Sequence, residues 1–512
     1  MVNVHQFVLS AVAGLGAQKH LNDYAPTAEF TKSIAIVGAG DGGLAMLKTL
    51  LDFPNSTRGT WDITLFDQRH DVGGVWLPEL HPVSPPDVPE TPLYPLLKTN
   101  TPVPSMTYPG FPFAEGTPLY PRHEHIQRYL SQFARHYGLY PYMRFNHSVT
   151  STVWVGNSTV GRWNITYEHS DGTGRRVGYK LADHLVVASG NNHYPHVVAW
   201  PGQDKWLEGA PGREILHSVY YRNPEKYTNK TVVVVGYGAS GRDAVLQISA
   251  VARKVYLSLR SIPERWQEPI PEGVEIKPQI SHFTRRGVVF NDSSSLEVDA
   301  ILSATGYEVR VPFLSRGNAL ATDANIHSNE TYTQGLTTNL RYLFPLYRHI
   351  VSLCPNHAPR ALAFIGLPIF IANAPSDGAQ SLLVAHMIAN SSATPSRDDA
   401  LRELATYEEY LRREGYDPYT RGHRLINGEG SDYQDGVVRL LKERGVIPND
   451  GRPYVEQWRR DIEKYQYMKR GWKRVEELGV ADEWLRGVRT ETQWSDLMKR
   501  LDQWQKEYES SQ

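Results

Sequence analysis

An α/β chain with two parallel-sheet units and a helical C-terminal tail is what three observations in this sequence predict. The first is a β-branched run entering a glycine-rich turn, Ser33-Ile-Ala-Ile-Val-Gly38-Ala-Gly40-Asp-Gly-Gly43-Leu-Ala. The second is a repeat of that pattern far downstream, Thr231-Val-Val-Val-Val-Gly236-Tyr-Gly238-Ala-Ser240-Gly241-Arg-Asp. The third is a change of texture beyond Pro395 to long stretches rich in Glu, Arg, Lys, Leu and Trp, with apolar residues at helical spacing.

Each apolar run reads as a strand buried on both faces of a parallel sheet. The residues after each third glycine, Leu44 to Leu51 and Arg242 to Ala250, carry a helical pattern. In a G-x-G-x-x-G turn, glycine lets the backbone bend tightly and approach a pyrophosphate, and the following helix aims free N–H groups at its charge. Two such turns predict two Rossmann-like dinucleotide sites. Ile63-Thr-Leu-Phe66 reads as the next strand of the first unit, and Asp67 at its end is placed to hold ribose hydroxyls. In the loop beyond, Gly73 and Gly74 can lie against a cofactor beside Val75 and Trp76. In the second unit the corresponding strand ends at Val255-Tyr-Leu-Ser258-Leu-Arg260. An Arg there suits a 2′-phosphate, so Arg260 points to NADPH rather than NADH. Between the units, Pro82 to Pro121 is dense in proline and predicts an ordered but irregular excursion. A helix is expected from His123 to Tyr137, and strands at Ser151 to Val155, Trp163 to Tyr167 and Leu185 to Ala188.

At 512 residues the chain has room for two or three domains. Its 40% hydrophobic and 21% charged residues fit a globular protein, and a formal net charge of −1 argues against nucleic acid as a partner. Cys354 is the only cysteine, which excludes an intramolecular disulfide, a thiolate zinc site and a redox-active cysteine pair. No metal-ligand spacing occurs among the 19 histidines. The apolar run Phe7 to Ala17 is too short to span a bilayer, and no Lys or Arg precedes it. Eight N-x-[ST] sequons, at Asn55, Asn146, Asn157, Asn164, Asn229, Asn291, Asn329 and Asn390, favour the secretory pathway or endoplasmic reticulum. Asn164 and Asn229 adjoin expected strands, where a glycan fits poorly, and the expectation is a cytoplasmic enzyme.

The ordered set GAGDGGL (Gly38 to Leu44), D-x5-GGVW (Asp67 to Trp76) and KTNTP (Lys98 to Pro102) resembles the flavin-containing monooxygenases. So do Met106 to Phe113, His217-Ser-Val-Tyr-Tyr221-Arg, GYGASGRD, Ala304-Thr305-Gly306-Tyr307, LYRHI (Leu346 to Ile350) and Leu362 to Leu367. The resemblance implies an FAD domain in two parts, 30–212 and 304–394, with an NADPH domain, 213–303, inserted, and a helical region, 395–512. It implies that reduced flavin forms a C4a-(hydro)peroxide with O₂ and passes one oxygen atom to a small molecule, at nitrogen or sulfur. Thr99 and Asn100 are placed by it against the flavin, with Asn100 orienting the oxygenating species and the nicotinamide amide. Ser240 and Asp243 fall in the NADPH turn and helix, and Thr305 and Gly306 on the link returning to the FAD domain.

Three departures stand out. Gly212 lies five rather than four residues before His217 and the Phe of that motif is missing, Ala239 stands where many members have Asn, and Gly378 replaces an acid. A Baeyer–Villiger reaction on a ketone is the alternative; that group shows Trp four residues after the motif histidine, where this chain has Tyr221. A second alternative is an NADPH oxidase or nucleotide-sensing module. Nothing in the sequence sets the oligomeric state; a homodimer is one option.

Overall fold

The computed structural model describes residues 30–170, 174–261, 270–426 and 428–512, so the run Phe7 to Ala17 lies outside the described residues. Strand β1 (Lys32–Val37) enters the first glycine turn and helix α1 (Asp41–Leu51), and β2 (Trp61–Phe66) pairs with β1 in parallel. The proline-dense excursion contains only a short 3-10 turn, Val103–Met106, because each proline removes a backbone donor. It leads into α2 (His123–His136) and β3 (Met143–Arg144), which sits beside β2. Three antiparallel strands follow, β4 (His147–Gly156), β5 (Gly161–Ser170) and β6 (Arg175–Ala182), and β7 (His184–Val187) returns to pair with β1.

A second sheet then forms from β8 (Glu214–His217), β9 (Thr231–Val235), helix α3 (Ala239–Ser249), and strands β10 (Lys254–Ser258), β11 (Glu275–Lys277) and β12 (Ala300–Ser303). Its order is β11-β10-β9-β12-β8, all parallel. The four-valine run of β9 carries Val232, Val233 and Val234 at full burial, as a strand covered on both faces requires.

The chain then rejoins the first sheet through β13 (Leu346–Tyr347), β14 (Val351–Ser352) and β15 (Leu362–Phe364). The completed order is β13-β14-β15-β7-β1-β2-β3, so the second sheet is built from residues lying between two contributions to the first. The architecture is therefore the pair of nested dinucleotide-binding units that the sequence predicts. Helix α4 (Asn373–Ala389) packs on α1 over the first sheet.

The tail is helical. Helices α5 (Arg397–Arg413) and α6 (Glu429–Glu443) pack on the first unit's core. Helices α7 (Met468–Glu477) and α8 (Glu491–Ser510) form a core of their own. In α7, Met468, Gly471, Trp472 and Val475 are buried, an i, i+3, i+4, i+7 stripe, and they pack with Leu497, Met498 and Leu501 of α8. Leu119 and Tyr120 of the proline-rich excursion join that core, which fixes α7 beside the loop carrying Thr99 and Asn100. Among the described residues no helix is long and apolar enough to cross a membrane. Asn164 lies within β5 and Asn229 just before β9.

Candidate active site

Both glycine turns are shaped for the close approach of a ligand. At the first, Gly38 has φ +111°, and a Cβ there would stand 2.3 Å from the Ala188 carbonyl oxygen; a Cβ on Gly43 would stand 1.8 Å from that of Gly38. Only glycine permits this crossing of strand, turn and helix. Helix α1 begins at Gly40 with no side-chain cap, so its first amides remain available to phosphate oxygens. The Gly73–Gly74 loop closes over this turn. Gly73 N–H donates to the Ala39 carbonyl (3.0 Å), and a Cβ on Gly74 would come within 2.9 Å of Gly40 Cα.

The cleft formed this way, about 390 Å³, is lined by Gly38, Gly40, Asp67, Gly74 and Val75 among others. Asp67 is 9% exposed; its carboxylate accepts the amides of Ala39 (2.6 Å) and Arg69 (2.7 Å) while burial raises its pKa. The same side chain thus braces the turn and faces the cleft. Uncapped amides, a glycine cradle and an acid at the strand end fit the pyrophosphate and ribose of FAD.

The second turn is more open. Gly236 (φ +94°) and Gly241 are as confined as their counterparts, with a Cβ meeting the Ala304 carbonyl oxygen at 2.6 Å and that of Gly236 at 2.2 Å. Gly238, at the uncapped start of α3, has no atom within 4 Å of such a Cβ, so the approach to the α3 amides is clear. Ser240 lines a cavity of about 1030 Å³ together with Thr99, Asn100 and Trp76. Its far wall is Trp472 and Arg474 of α7 and Tyr508 of α8. Asn100 is exposed to this space, while the Thr99 hydroxyl is buried at its edge with no hydrogen-bond partner. Lys98 ties the loop to the tail through Glu476, at 2.7 Å. The two cavities share Val75, Asn192 and Asn373, so they adjoin at these residues.

Three expected residues stand elsewhere. Arg260 is exposed two residues beyond β10 and lines neither cavity. Thr305 donates from Oγ1 to the His196 carbonyl (2.6 Å), and the Gly306 carbonyl accepts from the His196 amide (2.9 Å). Both belong to the crossing where Tyr194–Pro195 pairs with Tyr307–Glu308. His217, whose motif is irregular in this chain, braces the same crossing. Its Nδ1 accepts the Val219 amide (3.1 Å), which leaves Nε2 to donate to the Gly306 carbonyl (3.0 Å), and burial pushes its pKa down to about 4. A neutral imidazole with both nitrogens engaged positions the junction. Tyr221 is buried and donates to Gln247 Oε1 (2.8 Å). Cys354 is buried and its thiol is pushed upward by burial, as a packed side chain would be.

The sequence reading missed Asp41, Asp377, Asn192, Asn373 and the α7 wall. Asp41 lies inside the glycine motif itself, so it was open to inspection. The others come from distant segments and carry no local signal.

A model described as flavin-binding monooxygenase-like matches residues 31–267. The senecionine N-oxygenase of Tyria jacobaeae is 30% identical over 424 residues, covering 81% of this chain and 82% of that protein. An Arabidopsis thaliana flavin-containing monooxygenase, FMO GS-OX-like 8, is 28% identical over 85% of this chain and 89% of its own length. Among solved structures, the S-allyl-L-cysteine S-oxygenase of Allium sativum superposes with a TM-score of 0.69 at 24% identity, covering 92% of this chain and 99% of that one, a likeness of fold. With two glycine cradles beside adjoining cavities and a relative of this identity and coverage, the chain belongs to the flavin-containing monooxygenase family, whose cofactors are FAD and NADPH.

Proposed function

We propose that this chain takes electrons from NADPH through FAD and places one atom of O₂ on a nitrogen or sulfur atom of a small molecule. The observation that carries this reading is the meeting of the two cavities at Val75, Asn192 and Asn373, with Asn100 on the wall of the larger one. A dinucleotide held by α3 can extend its nicotinamide towards a ring held by α1 only if the two cavities adjoin. The relatives named for N-oxygenation and S-oxygenation support the choice of a soft nucleophile over a ketone.

Reduced FAD supplies the oxygen-activating chemistry. The chain's own residues bind and orient. The uncapped amides of α1 and α3 would hold the two pyrophosphates, and Arg260 would meet the 2′-phosphate. The Asn100 side chain donates from its NH₂ and accepts at its carbonyl, so it can orient a carboxamide and the reacting oxygen together. Trp76, Tyr237 and Tyr307 line the larger cavity and would shield the reacting groups there from water.

The test is the fate of NADPH in the presence of N,N-dimethylaniline, thioanisole and phenylacetone. One N-oxide or sulfoxide per NADPH consumed is expected. Ester from phenylacetone would favour the Baeyer–Villiger reading, and stoichiometric H₂O₂ with every substrate would sink oxygenation altogether. Asn100→Ala should keep its FAD yet lose product per NADPH by about tenfold or more, with H₂O₂ in its place. Unchanged coupling would remove Asn100 from the site.

A further inference from the structure

Asp41 is the first residue of α1, and Asp377 stands in the second turn of α4. Two helix starts therefore bring a carboxyl group each to one cavity, the cleft that holds the first glycine turn. Asp377 is 3% exposed and has no hydrogen-bond partner among the described residues. Its carboxyl lies between two glycine backbones. A Cβ on Gly42 would be 3.5 Å from Oδ2, and one on Gly366 would be 3.6 Å from Oδ1. Asp41 accepts a hydrogen bond from the Trp76 indole and gains no cation.

The groups packed around the pair do not relieve it. Tyr108 lies near both acids, Tyr129 near Asp41, and Tyr433 and Tyr454 near Asp377; burial pushes all four phenols upward, so each is neutral. Arg459 is held by Glu456 and Glu491, Arg348 by Glu403, and Lys48 of α1 by Asp52. Across the cavity Arg69 pairs with Glu90 (3.1 Å), Arg310 pairs with Glu308 (2.6 Å), Arg316 donates to the Thr150 carbonyl (3.4 Å), and Asp67 carries its two amides. His147 and His193 also line the cavity, and burial lowers the pKa of His193, so that ring adds no charge at neutral pH.

We propose that Asp41 and Asp377 form one proton-holding pair whose neutral form receives FAD, so that binding of the cofactor takes up a proton. The inference rests on the reading that this cleft holds FAD. Burial pushes Asp41 up to about 6 and holds Asp377 well above the usual carboxylate range, where the Asp41 charge adds to the rise. A pyrophosphate seated on the α1 amides adds negative charge beside Asp41 and raises the pair again. Each carboxyl then has a higher pKa with FAD than without it. Affinity is therefore greatest below the pair's own titration. It falls as pH rises through that value, and levels off above the value in the complex. The proton comes from solvent and stays on a carboxyl oxygen; no bond of the cofactor changes.

The experiment is a titration of the FAD-stripped full chain with FAD, followed by flavin fluorescence from pH 5.5 to 8.5. Above about pH 6 the dissociation constant should rise by up to about tenfold per pH unit. Asp41→Asn and Asp377→Asn should each reduce that slope and bind FAD more tightly than the parent at the alkaline end. A flat profile in the parent, or an undiminished slope in both variants, would overturn the proposal. Should the variants fold poorly, mixing the parent with FAD in weak buffer containing a pH indicator at pH 7 gives an independent reading. Uptake approaching one proton per FAD supports the pair, and none refutes it. Failure to bind FAD at any pH would instead overturn the reading of the cleft itself.

Discussion

The two glycine turns share a local plan and differ in what stands opposite. The first is roofed by its own unit, where Gly74 comes so near Gly40 that a Cβ would reach within 2.9 Å of Gly40 Cα. The second faces open space at Gly238, and the nearest wall comes from α7 and α8, far along the chain. A roof of this kind suits a retained ligand, since the Gly73–Ala39 hydrogen bond holds the Gly73–Gly74 loop against the turn. The open site is built for exchange, as an electron donor that arrives and leaves each turnover requires. One sequence motif thus serves retention or exchange according to the surface that covers it.

The sharpest test is a methyl group at a confined glycine of the first turn and at the open glycine of the second. Gly43→Ala places a Cβ 1.8 Å from the Gly38 carbonyl oxygen, a contact with backbone that no side-chain movement relieves. It should cost about 3 kcal/mol or more of stability and empty the FAD site, read from the melting temperature and the flavin-to-protein ratio. Gly238→Ala meets no atom within 4 Å and should leave both quantities at parental values while raising the KM for NADPH. Loss of flavin from Gly238→Ala would mean that the two turns do not serve separate ligands.

Next in size is Arg260. Although it lines neither cavity, it lies two residues beyond β10, one strand along from the glycine turn, where a 2′-phosphate is met in dinucleotide folds. Arg260→Ala should weaken NADPH by about 1.5–3 kcal/mol and leave NADH nearly unchanged. Equal losses for both would mean that the residue steers no phosphate, and selection for NADPH would have to come from elsewhere around the open site.

How much of this was legible in the sequence follows the same division. Both turns, their strands and α2 could be read because β-branched runs, glycines and a helical period are local signals. Strand β6 was missed because RRVGYKLA alternates weakly and keeps only Ala182 buried. The irregular histidine motif hid a structural task, since His217 meets Gly306 across 89 residues of sequence. The α7 wall was anticipated only as an amphipathic helix. Its place beside Asn100 depends on Leu119 and Tyr120 entering the tail's core, a contact that no periodicity encodes.

That tail gives the smallest and most discriminating effect. Lys98 and Glu476 meet at 2.7 Å with 44% and 30% of their side chains exposed, so water and salt screen the pair. Removing it with Glu476→Gln should change stability by less than about 1 kcal/mol. Yet the pair joins the loop of Thr99 and Asn100 to the wall of the larger cavity, so loosening it widens the open site alone. The expected outcome is a higher KM for NADPH or the oxygenated substrate at unchanged FAD affinity, with parent and variant converging at high ionic strength as the parent's own pair is screened. A matching loss of FAD would show that the tail braces both sites, and the division between a retained and an exchanged ligand would then not follow the two cavities.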